Sequence, residues 1–241
     1  MPRTPPTAHR TRIRPAVTLA LLACVPLAAC SDGESGGDTA AELAGRLEAA
    51  REVLDGAESL QLRLATEALP DGTQGLVEAD GVGNHEPAFE GTVTVAAGGL
   101  GQVDAELVSV DGDVEAKVGF VPRFTPIDPD DFGAPDPAEL VDSDGGVSSW
   151  LTATEDLAEG EQSRDGEDVL TTVSGSLPGA EVQRLIPSAD DSADFAVAYR
   201  LTDDDVLRDA TIEGPFYVGT ADVSYTLDVA ASDEPVEITL P

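Results

Sequence analysis

The side chain best suited to covalent chemistry is the thiol of Cys30. It follows Leu27, Ala28 and Ala29, so small residues stand directly before a nucleophilic sulfur. Cysteine sulfur is an intrinsically strong nucleophile and can form a thioether with a lipid. Cleavage before Cys30 would then make the modified cysteine the new N-terminus. We therefore predict lipid attachment at Cys30.

The segment before Cys30 has the features of a secretory signal peptide. Four arginines and no acidic residue come before an apolar stretch of twelve residues, Ala16 to Leu27. This stretch is too short for a permanent membrane helix, which needs about 20 residues. Residues 1–29 are therefore predicted to be a signal peptide that ends in the lipobox of bacterial lipoproteins. Cys24, which follows bulky Leu22, is a weaker attachment site, and a secreted protein with an incidental cysteine is the alternative.

Composition divides the remaining chain into a tether and one domain. Residues 31–38 are rich in Gly, Ser and acidic side chains, so we predict a lipidated cysteine and flexible tether over residues 30–38. Residues 39–241 are predicted to form a single domain, which is long enough to bury a sizeable core. The lipid on Cys30 would hold this domain at the extracytoplasmic side of the cell membrane.

The charge of the chain limits its partners. Without residues 1–29, nine basic residues face 47 acidic ones, a formal net charge of −38. Such a surface repels nucleic-acid phosphates and anionic lipid head groups over a Debye length, and we predict that the protein does not bind nucleic acid. The acidity itself indicates solubility, a saline habitat or attraction of cations, and it does not specify the fold.

The sequence offers little for catalysis. His85 is the only histidine after residue 29, and a lipid would block Cys30, which removes Cys–His pairs and histidine-rich zinc sites. The turn-like context of His85 predicts a solvated side chain. Paired carboxylates could hydrolyse glycosides, but the many acidic residues single out no pair. Residues 142–145 resemble the start of a calcium loop, yet the twelfth position is Ala153 instead of glutamate. We predict no catalytic residue, no metal and no cofactor.

Hydrophobic periodicity predicts one helix followed by many strands. Residues 39–42 have the spacing of a capping box, and leucines and alanine then recur on one helical face up to Leu54. From Leu60 onward the apolar residues alternate with polar ones, and Gly98-Gly99 and Asp111-Gly112 supply turns. Five prolines between residues 121 and 146 exclude a central strand there. Two short helices are predicted around Trp150 and residues 181–186. Further strands are predicted around residues 169–173, 195–201, 223–229 and 236–240.

The order of these pieces resembles a known family. The residues that carry the resemblance are the lipobox, the N-terminal helix, the Asp111-Gly112 hairpin, Asp136-Pro137-Ala138-Glu139-Leu140, Gly145-Gly146-Val147, Val173-Ser174-Gly175 and the final Val236 to Pro241. Their order and spacing are similar to those of the mycobacterial LppX, LprA, LprF and LprG lipoproteins. The resemblance spans nearly the whole chain after Cys30. The acidity and Arg123-Phe124 depart from the family pattern, which bears on the head group recognised.

The resemblance implies an α+β fold and a function. The fold would be a strongly curved antiparallel half-barrel sheet, with a few helices over its concave face enclosing a hydrophobic cavity. The cavity would hold acyl chains of envelope lipids or lipoglycans and carry them between the membrane and the outer envelope, with a membrane transporter as a possible partner. The family match places Val93 in the cavity wall, and strand alternation places Phe89 and Val95 on the same face. The other predicted lining residues are Val77, Val103, Leu107, Val114, Val118 and Phe120 of the curved sheet, and Trp150 of the second helix.

The residues by themselves leave a second interpretation open. Apolar strand faces usually form a filled core, so the same side chains fit a solid interior. Trp150 could pack a helix on the sheet or line the mouth of a pocket. The alternative function is therefore a non-transporting envelope scaffold that holds a partner through its acidic surface.

Overall fold

The computed structural model describes residues 35–97, 101–119, 121–132 and 134–241. The helices in these ranges are α1 (Ser35–Asp55), α2 (Ser148–Ala153) and α3 (Gly179–Leu185). Helix α1 packs through the face that its periodicity predicts. The residues on that face, each at most 4% exposed, are Leu43, Leu47, Ala50 and Leu54.

Eleven strands of the described ranges form one antiparallel sheet. They are β1 (Ser59–Thr66), β2 (Gly75–Asn84), β3 (Ala88–Ala96), β4 (Gln102–Val110), β5 (Asp113–Val118), β6 (Thr125–Ile127), β7 (Glu155–Asp165), β8 (Asp168–Pro178), β9 (Asp194–Thr202), β10 (Leu207–Gly214) and β11 (Val223–Ser232). The sheet is open. A large antiparallel sheet with few helices confirms the predicted α+β fold.

The strand order determines where the connections run. The order is β6-β5-β4-β3-β2-β1-β11-β10-β9-β8-β7, so β1 lies in the middle and β6 and β7 lie at opposite edges. The chain between them, residues 128–154, must cross the sheet from edge to edge. It crosses on the face that carries the core, because Val141, Trp150 and Leu151 belong to the main hydrophobic cluster. We call this the covered face and the opposite one the outer face.

The covered face is filled unevenly by its side chains. Over β9 to β11, large rings pack edge to face: Phe216 lies 5.0 Å from Phe195 and 4.9 Å from Tyr225, measured between ring centroids. Such pairs fill volume and add attraction beyond their buried area. Over β3 to β5, the covered face carries mainly valines and alanines, whose side chains are too short to fill the same depth. Space is therefore left on one half of the sheet.

Several element predictions differ from the structure. Residues 236–240 form no strand, because their alternating side chains pack on the outer face, where Val236 and Ile238 join Ala88 and Val108. Strands β6, β7 and β10 were not predicted, since β6 has only three residues, β7 is acidic and mostly exposed, and a register shift interrupts β10 near Asp209. Helix α1 begins at Ser35, within the predicted tether, because extending a formed helix costs far less than nucleating one. The Gly98-Gly99 turn lies outside the described residues.

A side chain at residue 91 would test how closely β2 and β3 approach each other. A Cβ atom on Gly91 would lie 2.3 Å from the carbonyl oxygen of Asp80 and 2.8 Å from the Cα atom of Gly81, so the backbone would have to move. We expect Gly91→Ala to lower the free energy of unfolding by about 1 to 3 kcal/mol, measured by urea denaturation.

Gly45 provides the matched control. A Cβ atom there meets no other atom within 4 Å, and the residue lies within α1. Gly45→Ala should raise the free energy of unfolding by about 0.5 to 1 kcal/mol. Equal stability of the Gly91→Ala variant and the wild type would contradict the close strand approach.

Candidate functional site

A cavity of about 400 Å³ lies between the covered face of β2 to β6 and the segment that begins at Pro129. We call residues 129–132 and 134–141 the roof. Apart from Gln74, all described lining residues are apolar or glycine, and none is charged. The most exposed of the large apolar lining side chains are Val118 (41%) and Phe132 (53%), and they mark the mouth. The mouth lies at the end of the sheet where β5 ends and β2 begins.

Strand alternation forms the cavity wall. Six of the predicted lining residues do line the cavity: Val93, Val95, Val103, Leu107, Val114 and Val118. The backbone register explains why they meet, because Val95 stands opposite Val103 in one pair of strands and Val93 stands opposite Ala105. Ala105 in turn pairs with Val118. That these residues bind a ligand stays a prediction.

Small residues account for the empty space. Between the branched side chains, the wall carries Ala79, Ala105 and Ala116, and the roof contributes Ala134. These residues were not predicted to line the cavity, and neither were Leu76 of the wall and Leu140 of the roof. For Ala105, the alternation with Val103 and Leu107 was a usable signal, since alternate strand residues share a face.

Phe89 and Trp150 lie deeper than the main cavity. They line an adjoining space of about 60 Å³, which shares Leu76, Ala79 and four roof residues with the cavity. The Trp150 side chain is only 3% exposed, and its indole N–H donates to the carbonyl of Glu181 at 3.3 Å. Trp150 therefore packs α2 on the sheet and also borders the inner space. The two roles considered from the sequence, helix packing and pocket lining, are not exclusive.

Two tyrosine hydroxyls lie at the border of the inner space. The hydroxyl of Tyr225 donates to the carbonyl oxygen of Leu76 at 2.6 Å, and the hydroxyls of Tyr217 and Tyr225 lie 2.9 Å apart. Burial raises the pKa of both phenols above the ordinary value. The hydroxyls therefore stay neutral at physiological pH and satisfy one another, so that the wall presents no charge to the cavity.

The roof is attached to the sheet by hydrogen bonds at its inner end. The hydroxyl of buried Ser109 donates to Asp136 at 2.6 Å, and the same carboxylate accepts the backbone N–H of Ala138 at 2.9 Å. Burial and the nearby carboxylate of Asp136 raise the pKa of Glu139. This attached end lies at the far side of the cavity from the mouth, and exposed Phe132 lies at the mouth.

His85 connects the roof to helix α1. Its Nδ1 atom lies 2.7 Å from the carbonyl oxygen of Val141, and its Nε2 atom lies 3.1 Å from that of Leu54. The residue occupies the predicted turn between β2 and β3. It is half-buried between these two carbonyl groups, so the expectation of a solvated histidine was wrong.

Val77 does not line the cavity, contrary to the prediction. The register between β2 and β3 pairs Leu76 with Val95 and Glu78 with Thr94, which leaves Val77 as the extra residue of a β-bulge. A bulge reverses the alternation that follows it. Leu76 and Ala79 therefore both face the cavity, and Val77 does not. Phe120 and Cys30 lie outside the described residues.

Most of the chain matches the sequence profile of one known protein family. The profile of the LppX_LprAFG lipoprotein family matches residues 40–238. The chain belongs to this lipoprotein family. The resemblance carried by the ordered motifs is thereby confirmed. No curated protein matches the sequence of the chain.

Two solved structures are similar to this lipoprotein. LprF from Mycobacterium bovis superposes with a TM-score of 0.67 at 15% identity, covering 83% of this chain and 97% of LprF. The lipoprotein LppX from Mycobacterium tuberculosis superposes with a TM-score of 0.59 at 17% identity, covering 83% of this chain and 99% of LppX. These similarities establish the shared fold.

Two further features of the lipoprotein concern metals and membranes. In residues 35–97, 101–119, 121–132 and 134–241, no three His, Cys, Asp or Glu side chains gather in a way that could hold a metal ion. Within the same ranges, no helix has the length and apolar character needed to cross a membrane.

His85→Phe tests how the roof is held. Phenylalanine keeps the size of the ring but has no nitrogen that could donate to the carbonyls of Val141 and Leu54. We expect the free energy of unfolding to fall by about 1 to 2 kcal/mol, because a carbonyl loses its partner. Amide hydrogen exchange should become faster in residues 134–141.

His85→Gln is the control for this experiment, since its amide can still donate. It should restore part of the protection from exchange. Unchanged exchange in residues 134–141 of the His85→Phe variant would mean that the roof is held without His85.

Proposed function

We propose that this lipoprotein binds acyl chains in the cavity and carries them between the membrane and the outer envelope. The observation that carries the proposal is the cavity itself: about 400 Å³ of space with apolar walls, beside a half of the sheet that the rings of Phe195, Phe216 and Tyr225 fill. An acyl chain is the ligand that matches such walls, because it has no polar group to satisfy. Each methylene transferred from water contributes about 0.8 kcal/mol.

The open mouth supports exchange of the bound chain with a lipid surface. Val118 and Phe132 extend the apolar wall to the outside, and Val121, 46% exposed, follows Val118 closely in sequence. An acyl chain that enters between them stays in contact with apolar surface along its path. A head group would remain outside, since the interior provides no charge for it.

The anchor completes the proposal. A lipid on Cys30 would hold the domain at the extracytoplasmic side of the cell membrane, close to the pool of acylated envelope lipids or lipoglycans that it would load. One acyl chain gives only reversible membrane binding. Stable attachment would therefore need both acyl chains of a diacylglyceryl group on Cys30. A membrane transporter that delivers the ligand fits this location.

Cys30→Ser tests the anchor. We expect the wild-type chain from a bacterial membrane fraction to begin at residue 30 and to carry the mass of a diacylglyceryl group, measured on the N-terminal peptide. The Cys30→Ser variant should leave the membrane fraction. Cys24→Ser should change neither result. Retention of the Cys30→Ser variant in the membrane, with the same added mass elsewhere, would contradict attachment at this residue.

Val93→Trp tests the cavity as the binding site. Val93 lines the cavity, whereas its neighbour Thr92 is exposed on the outer face of the same strand. An indole at residue 93 should occupy the space of the acyl chain and reduce binding of a fluorescent fatty acid by at least tenfold. The fold should persist, because the cavity has room for the ring.

Thr92→Trp is the matched control, since it adds the same side chain to the opposite face. It should bind the fatty acid as the wild type does. A Val93→Trp variant that is destabilised by about 1 to 3 kcal/mol would indicate a filled core and favour the scaffold alternative. A folded variant with unchanged binding would show that the ligand lies elsewhere.

A further inference from the structure

Arg123 differs from most basic residues of the described chain. Seven of the nine basic side chains after residue 38 form ion pairs, for example Lys117 with Glu106 at 2.8 Å and Arg63 with Glu78 at 2.9 Å. Arg123 and Arg164 are exposed, and neither has an ion-pair or hydrogen-bond partner in the part of the chain that the structure describes. In a chain with 47 acidic residues, two free guanidinium groups are unusual.

The two free arginines lie at opposite edges of the sheet. Arg164 lies on β7, and Arg123 comes just before β6, the other edge strand. Only the β6 edge borders the cavity, because Val118 before Arg123 and Ile127 after it both line the wall. Arg123 therefore lies in the connection that forms one side of the mouth.

The residues after Arg123 place it beside the cavity. The next residue, Phe124, packs against the outer-face cluster of Ala88, Val108 and Ile238. Thr125 stands opposite Ala116, which lines the cavity, and Ile127 lines it as well. Arg123 lies in the bend directly before this edge strand and is exposed, so its guanidinium stands within reach of the border of the cavity.

We propose that Arg123 binds an oxyanion, a phosphate or carboxylate, in the head group of the acyl ligand at the mouth. This rests on the proposed function and specifies its ligand class. A guanidinium can hold such a group through two parallel N–H···O bonds. At physiological salt, screening limits the reach of the protein's net negative charge to about 8 Å. The charges nearest to Arg123 therefore determine whether an anion binds there. The carboxylates of Asp130 and Asp131, close to Phe132, repel an anion at the mouth and so weaken its attraction to Arg123.

The experiment compares three probes with the same acyl chain: palmitoyl lysophosphatidate, palmitate and monopalmitoylglycerol. The full chain is held in nanodiscs of neutral lipid at physiological salt, and each probe displaces a fluorescent fatty acid. We expect the two anionic probes to bind about fivefold more tightly than monopalmitoylglycerol, which is the size expected for an exposed ion pair. The preference of one anion over the other distinguishes phosphate from carboxylate.

Two variants separate the role of Arg123 from that of net charge. Arg123→Gln should abolish the preference and leave binding of monopalmitoylglycerol unchanged. Arg164→Gln removes the same charge from the far edge and should keep the preference. Equal binding of all three probes by the wild type, or equal loss in both variants, would overturn the role of Arg123 while the carrier function stands. Failure of every probe to bind would overturn both.

Discussion

The pairing of β1 with β11 is the constraint on which the rest of the structure depends. It joins the first strand of the domain to the last at the centre of the sheet, through eight consecutive residue pairs from Ser59 with Ser232 to Thr66 with Tyr225. Each half of the chain can then only extend outward, so β6 and β7 end at opposite edges. The connection between them has to cross the covered face, and part of it becomes the roof. Topology thus places a crossing segment over the covered face, and the side chains decide how much space lies beneath it.

Side-chain volume then decides which part of the covered face stays empty. Phe195, Phe216 and Tyr225 fill the half under β9 to β11. Alanines at residues 79, 105 and 116 leave space over the other half of the same sheet. Protein interiors are normally packed as closely as organic crystals, so an apolar space of this size is an exception within the fold. The bonds of Asp136 and His85 hold one end of the roof, while the exposed side of the mouth stays free for exchange.

Much of this arrangement could be predicted from sequence, and the failures have physical causes. Alternation located Val93, Val103 and Val114 on one face, because a strand has a strict period of two. It failed at Val77, because one bulged residue shifts the period and pattern alone does not show a bulge. Strand β7 was missed because an exposed edge strand can be built from Glu and Gln without an apolar face. The volume between the faces depends on strands distant in sequence, so no local pattern reveals it.

The most direct test of the cavity as an acyl-binding site is photo-crosslinking of the full chain with a fatty acid that carries a diazirine near its methyl end. The modified peptides would then be identified by mass spectrometry. Our account predicts adducts on the covered faces of β3, β4 and β5, around Val93, Leu107 and Val114, and on the roof. Adducts confined to exposed apolar residues outside the cavity, such as Val53, Val206 and Val218, would contradict it.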